Sequence, residues 1–375
     1  MTRQQLAQSV AKKLLDAAAT LPQRKAVVGF DAFVDEICDI VDKRRSAESY
    51  TPVRTIAEFG QKVLAASGQS SNYELAAKAM KLGGNGPIMA NALACAGMSV
   101  TYIGNLGYPN IHPVFEEFAS RAKVFSIGDP GHTDAVEFTD GKLMLGKITP
   151  MSDVNWNNLS ERVGIDSIKK LSDEASLIGM VNWTMLPYMK DIWERMLIDV
   201  LPHLPRGQRF LFIDLADPEK RTLNDIQDAL KQITRFQQHA DIVLGLNLKE
   251  SSQIIEALGL PQPADAEAAI LKTAGDIRAA LNISCVVIHP RKVAAAATAD
   301  DSAIFLGPFV QSPKISTGAG DHFNAGFCLG RVLGMSLVES LCTGVATSGY
   351  YVRTAVSPSA QQLAEFCAEL PEPQN

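Results

Sequence analysis

The 375-residue chain has no Walker Gly-x-x-x-x-Gly-Lys loop and no Gly-x-Gly-x-x-Gly fingerprint, which argues against the two common glycine-rich nucleotide folds. No apolar stretch reaches the roughly 18 uncharged residues expected of a membrane span. The segment from Gln4 to Ala19 mixes Lys12, Lys13 and Asp16 into a helical pattern unlike a signal peptide, so a cytoplasmic protein is expected. A net charge of −6 and no long basic run give nucleic acid nothing to bind. The six cysteines, Cys38, Cys95, Cys285, Cys328, Cys342 and Cys367, are scattered without Cys-x-x-Cys spacing. They read as buried free thiols rather than a disulfide frame or zinc site. His112, His132, His203 and His239 likewise lack metal-ligand spacing, and there is no internal repeat or low-complexity tract.

What the chain does have is an ordinary globular composition, 46% hydrophobic and 20% charged, with ample length for a large core. Strand-like apolar runs at Ala26 to Phe30, Val100 to Gly104, Ser176 to Val181, Arg209 to Leu215, Asp241 to Leu246 and Cys285 to His289 alternate with helical stretches. That alternation predicts an α/β fold with a mainly parallel central sheet and helices on both faces. In such sheets ligands gather beyond the carboxyl ends of the strands, where Asp31, Asp214, Asn247 and Asp321 would project. Ala135 to Lys147 breaks the alternation, and its Asp140-Gly141 pair is a hairpin signal.

The densest chemistry lies in Ser316-Thr317-Gly318-Ala319-Gly320-Asp321-His322-Phe323, ahead of an apolar run to Met335. Gly318 and Gly320 allow close backbone approach, and a helix start offers unpaired N–H groups to an anion. A carboxylate beside bound phosphate cannot serve to attract it; Asp321 makes sense as a base taking a proton from an attacking hydroxyl. The plain alternative is a tight turn with Asp321 as a helix cap. His322 reads as a packing or pocket-wall residue, and Trp183 as core.

From about residue 25 onward the chain resembles the ribokinase-like, phosphofructokinase-B-type family of sugar and nucleoside kinases. The resemblance rests on motif order: Gly29-Phe30-Asp31-Ala32-Phe33-Val34-Asp35, then Gly83-Gly84-Asn85-Gly86, the Gly104-Asn105-Leu106-Gly107 turn, Asn247-Leu248-Lys249-Glu250 and Gly318-Ala319-Gly320-Asp321. It implies a three-layer kinase domain over residues 1–375, with lid insertions at about 38–82 and 133–150. The first insertion reads as lid strands plus a helix around Thr55 to Ala66 and is longer than the family leads one to expect.

The resemblance further implies ATP and Mg²⁺ as cofactors and leaves a monovalent-cation requirement open. The acceptor would be the hydroxymethyl group of a sugar or sugar-like molecule. Asp321 would be the base, with Gly318, Ala319 and Gly320 as the anion hole. Asp31, Asp35, Gly83, Gly84 and Asn85 would bind substrate, with Asn91 a weaker candidate because the family's asparagine falls at Ile88. Asn247 and Glu250 would serve magnesium and phosphate, Glu250 through water, and Thr317 the nucleotide; Asp214 and Asp217 would lie near the phosphates. Each has a bland alternative, a strand-end cap for Asp31 and Asp35 and a helix-start residue for Glu250.

Two departures stand out. His289-Pro290-Arg291 replaces the family's Thr-x-Gly turn, where Arg291 could grip phosphate, and Leu341 to Thr347 lacks an asparagine beside adenine. A nucleoside kinase with an aromatic pocket drawn from Trp183, Phe33 and Tyr108, or an inactive sugar or nucleotide sensor, are the alternatives. An exposed lid sheet would favour a homodimer.

Overall fold

The apolar runs form the middle of a nine-stranded sheet in the computed structural model, which describes residues 1–205, 207 and 209–374. From one edge its strands are Ser302–Leu306, Val293–Ala297, Cys285–Ile288, Asp241–Leu246, Phe210–Asp214, Leu177–Val181, Lys25–Phe30, Ser99–Gly104 and Lys123–Ser126. Pairing is parallel from Cys285–Ile288 to Lys123–Ser126. The two strands at the other edge are added antiparallel.

Strands covered on both faces read as continuous apolar runs, and the side chains divide with period two. Phe212, Val243 and Val287 join one buried cluster, with helices Arg3–Ala17, Asn85–Cys95, Ala319–Val332 and Leu337–Thr354. Leu211, Ile213, Leu244 and Ile288 join the other, with Ile165–Glu174, Leu223–Phe236, Leu248–Ala257 and Ile270–Leu281. Each fully buried aliphatic side chain contributes about 1.5–3 kcal/mol. Helices therefore cover both faces, as the alternation predicts. None of the described helices is long and apolar enough to cross a membrane.

A second, smaller sheet holds Tyr50–Pro52, Phe33–Arg44, Gly131–Phe138 and Gly141–Lys147, with Leu75–Gly83 paired to Phe33–Arg44. The Lys25–Phe30 strand passes into it through Asp31 and Ala32 alone. A helix, Ile56–Ala65, packs beside it, capped by the Thr55 side chain. The hairpin closes with Phe138 opposite Gly141, so its turn is Thr139-Asp140, one residue earlier than the Asp140-Gly141 signal suggests. Asp140 is held there by its Oδ1, which accepts the Ile56 N–H at 2.9 Å.

The carboxyl ends of the large sheet bring Asp31, Asn182, Asp214, Asn247 and His289 to one rim. The smaller sheet and the starts of the Asn85–Cys95 and Ala319–Val332 helices meet that rim.

Candidate active site

Gly318 caps the Ala319–Val332 helix at φ 86°, a left-handed conformation that glycine adopts without strain. Asp321 is consequently the third helical residue and not the cap. The turn is held from behind. His322 sends its Nδ1–H to the Gly318 carbonyl at 2.7 Å, and its Nε2 accepts from Ser357 Oγ at 2.8 Å. That tautomer follows from the carbonyl, which can only accept. Burial pulls the His322 pKa down to about 4, so the ring is neutral. Tyr351 stacks on it, centroids 3.6 Å apart, and donates its hydroxyl to the Thr317 carbonyl at 3.0 Å.

Asp321 is 8% exposed. Burial raises its carboxyl to about 7, opposed by the hydrogen bond from Asn85 Nδ2 to Oδ1 at 2.9 Å and reinforced by the charge on Asp31. Asn85 begins its own helix after Gly84 at φ 96°, so two helix starts face each other across the Asn85–Asp321 bond.

Asp31, expected from the sequence to bind substrate, lies deeper than Asp321. It is 0% exposed. One oxygen accepts Gly86 N–H at 2.9 Å, and the other accepts Asn85 N–H at 3.0 Å and Asn182 Nδ2 at 2.7 Å. Burial still raises it to about 6, against the pull of those hydrogen bonds. These hydrogen bonds hold the start of the Asn85–Cys95 helix.

A second carboxylate group lies beside the first. Asp214 accepts Ala216 N–H at 2.8 Å and Asn324 Nδ2 at 2.8 Å, and it stands well above the usual carboxylate range through burial and the charges of Glu250 and Asp321. Glu250 and Asn247 form a reciprocal capping box, 2.8 Å and 2.9 Å. The remaining Glu250 oxygen accepts Asp217 N–H at 2.9 Å. Burial raises Glu250 as well. Asp217, with φ 60°, pairs outward with Lys249 at 3.1 Å. Asp214 is thus raised by two neighbouring carboxylates, Glu250 and Asp321, while Lys249 faces away, and carboxylate oxygens of this kind are the donors a hard divalent cation takes.

Between the smaller sheet and the 313–317 segment that leads into the Gly318 turn lies a cavity of about 460 Å³, lined among others by Asp35, Lys81, Lys142, Thr317, Ile88 and Tyr351. Asp35 sits over Gly83, where any Cβ would overlap its carboxyl group. Burial raises its pKa, and Thr133 hydrogen-bonds it. Lys142 donates to Thr317 Oγ1 across the cavity. The aromatic lining is Phe138 and Tyr351. The aromatic candidates read from the sequence are elsewhere: Trp183 is wholly buried, Phe33 packs over Gly131, and Tyr108 lies under Arg162. Asn91 turns away to Ser357 and Arg121.

A model of the prokaryotic ketohexokinase family matches residues 2–370. The chain belongs to that family. A ketohexokinase of the archaeon Haloferax volcanii is 30% identical over 355 residues, 93% of each chain. Among solved structures, ribokinase from Cryptococcus neoformans in complex with ADP superposes with a TM-score of 0.62 at 17% identity, over 91% of this chain and 99% of that one. Adenosine kinase from Sinorhizobium meliloti gives 0.59 at 15% identity, over 92% and 98%. The fold is ribokinase-like, and the protein is a carbohydrate kinase that uses ATP.

In this kinase the structure draws Asp321, Asn85, Asp31 and the Gly318–Gly320 turn together, and Asp35 and Thr317 around one cavity, with Gly83 behind Asp35. Arg291 stands exposed on the turn after Cys285–Ile288. His289, two residues earlier, is the residue that approaches the Gly318–Gly320 turn, stacking on Phe323 at 4.5 Å with Cε1 3.4 Å from where a Gly320 Cβ would lie. Sequence reasoning missed Lys142, the turn-holding role of His322, and Asn182. The one local signal for His322 was its adjacency to Asp321.

Proposed function

We propose that this kinase transfers the γ-phosphoryl group of ATP to the primary hydroxyl of a ketohexose, with Asp321 as the base. The observation that carries the reading is Asp321 itself. It is a buried carboxylate at a glycine-rich helix start, held by Asn85 and pushed up to about 7, near the operating pH where a general base is most effective. The ketose comes from the family and from the Haloferax volcanii relative.

The acceptor hydroxyl gives its proton to Asp321 as oxygen attacks the γ-phosphorus, and the bond to the bridging oxygen of ADP breaks. N–H groups of Gly318 to Gly320 face the charge on the transferring group. Asp35, aligned by Thr133 over Gly83, accepts from sugar hydroxyls, and Asn85 lies between sugar and base. Gly84 keeps the Asn85 helix start open. Mg²⁺ would be held by Asp214 and Glu250, directly or through water, with Asn247 orienting Glu250, and would screen the donor phosphates. Thr317 meets the phosphates at the turn. Arg291, two residues beyond His289, is the cation on the nucleotide side.

The smaller sheet acts as a lid over residues 1–375 read as one kinase domain. Its exposed Leu75, Met80 and Leu145 support pairing of two copies, which light scattering would detect. A cytoplasmic location, where ATP is held, goes with the same reading. The cavity lining, with Asp35, Glu137 and three lysines, suits polyhydroxylated substrates better than a flat base.

The test is ADP formation across ketohexoses, aldoses, polyols and nucleosides, with wild type and Asp321→Asn side by side. Turnover of a ketohexose, lost by about 10²–10⁴-fold in the variant with ATP binding kept, is expected. Turnover confined to nucleosides, or an unimpaired Asp321→Asn, would overturn it.

A further inference from the structure

Lys142 is the second residue of the strand Gly141–Lys147 and lines the cavity, and its Nζ hydrogen-bonds Thr317 Oγ1. Thr317 directly precedes the Gly318 helix cap. A side chain carried by the lid thus reaches the turn where phosphate is expected. We propose that Lys142 is a further catalytic residue, whose ammonium group contacts the phosphoryl group in transit. The assignment rests on placing that group at the Gly318–Gly320 turn.

Charge explains the need. Asp31, Asp214, Glu250 and Asp321 crowd the floor, and each is raised in pKa by its surroundings. A phosphoryl group arriving there meets carboxyl groups, and its own negative charge calls for a cation on the cavity side. A divalent cation at Asp214 and Glu250 would relieve one side only; the equatorial oxygens facing the cavity need a second positive group. Of the cavity's other ammonium groups, Lys314 turns away to the Thr354 carbonyl at 3.2 Å, and Lys81 sits on the Leu75–Gly83 strand.

A neutral hydroxyl is a weak partner for an ammonium group that burial already disfavours. A phosphoryl oxygen makes a charge-assisted bond about twice as strong. Thr317 therefore holds Lys142 in position until the phosphate replaces it. Burial lowers the Lys142 ammonium, and Glu137 and Asp35 raise it against burial and Lys81. Lys142 gives and takes no proton. The proton goes to Asp321, the new O–P bond forms on the sugar, and the electron pair of the broken bond leaves with ADP. Because the residue belongs to the lid, the site holds this charge while the hairpin lies over it.

The experiment uses Lys142→Met and Lys142→Arg in the full chain, with melting temperature recorded to confirm folding. Lys142→Met should lower kcat for the ketose about 10–100-fold with sugar KM within about threefold, and Lys142→Arg should recover most of it. In direct binding, Lys142→Met should weaken the imido analogue of ATP while ADP is unchanged. A normal kcat with raised sugar KM would make Lys142 a sugar ligand, and equal effects on ADP and the ATP analogue would remove the contact; either outcome overturns the proposal. If the wild type turns over no ketose, the substrate reading fails, and the binding comparison still decides on Lys142.

Discussion

Asn85 and Asp321 stand 236 residues apart in the chain and are joined by one 2.9 Å hydrogen bond. The bond ties the start of one helix to the start of another, and its direction matters. Asn85 donates, which favours the charged form of Asp321, while burial favours the neutral form and wins.

Turnover should follow the ionisation of Asp321. A carboxyl raised to about 7 is mostly protonated below that pH, and the protonated form cannot act as base. The profile of kcat/KM against pH should therefore fall about tenfold per unit below an apparent pKa near 7. A flat profile down to pH 5 would show that the essential base is another group.

Removing the Asn85 amide should move that limb upward. Asn85→Ala deletes the one side-chain donor that lowers the Asp321 pKa. The acid limb should shift to higher pH, and kcat at pH 7 should drop by about tenfold or more. An unmoved limb would mean that the bond does not reach the reacting carboxylate.

The same burial makes stability depend on pH. A group whose folded pKa lies above its unfolded value binds more protons in the native state, so stability declines as pH rises between the two values. Asp31 at about 6 and Asp321 at about 7 both act this way. Their contribution is full below about pH 4 and gone above pH 7. Asp321→Asn should melt higher than wild type at pH 8, with the difference shrinking toward pH 5. Thermal unfolding at the two pH values checks it.

Asp31→Ala should cost stability rather than sugar affinity. Gly86 N–H, Asn85 N–H and the Asn182 amide would lose their acceptor, and each buried unsatisfied donor costs about 1–3 kcal/mol. The melting temperature should fall by several degrees, and the ketose KM of the remaining folded enzyme should change little.

Gly83→Ala probes Asp35. The added Cβ would overlap the Asp35 carboxyl group, displacing the one predicted sugar-facing carboxylate that lines the cavity. Ketose KM should rise by about tenfold, the scale of one lost charged hydrogen bond, with ATP affinity retained. Titration of both ligands separates the two effects.

The parallel sheet was legible because its strands are buried on both faces and so read as unbroken apolar runs, from Val27-Val28 to Val286-Val287. The hairpin was legible from Asp140-Gly141 to within one residue. Asp31 and Asp35 could not be told apart in sequence, since both are carboxylates after a strand. Only the approach of the Asn85 helix start decides that Asp31 is enclosed and Asp35 open. Lys142 was invisible for a similar reason: its meaning lies in Thr317, 175 residues away. His289 was hidden by Arg291 two residues later, whose charge drew the phosphate role although the imidazole is what lies against Gly320.

The passage of the chain between its two sheets is two residues long, and the first of them is bolted down. The Asp31 carbonyl takes the Tyr102 hydroxyl while its side chain grips the Asn85 helix and Asn182. A second crossing, Gly84 alone, joins the smaller sheet's Leu75–Gly83 strand to Asn85. The Asp31–Asn85 hydrogen bond clasps the two crossings together like a pin through two hinge plates.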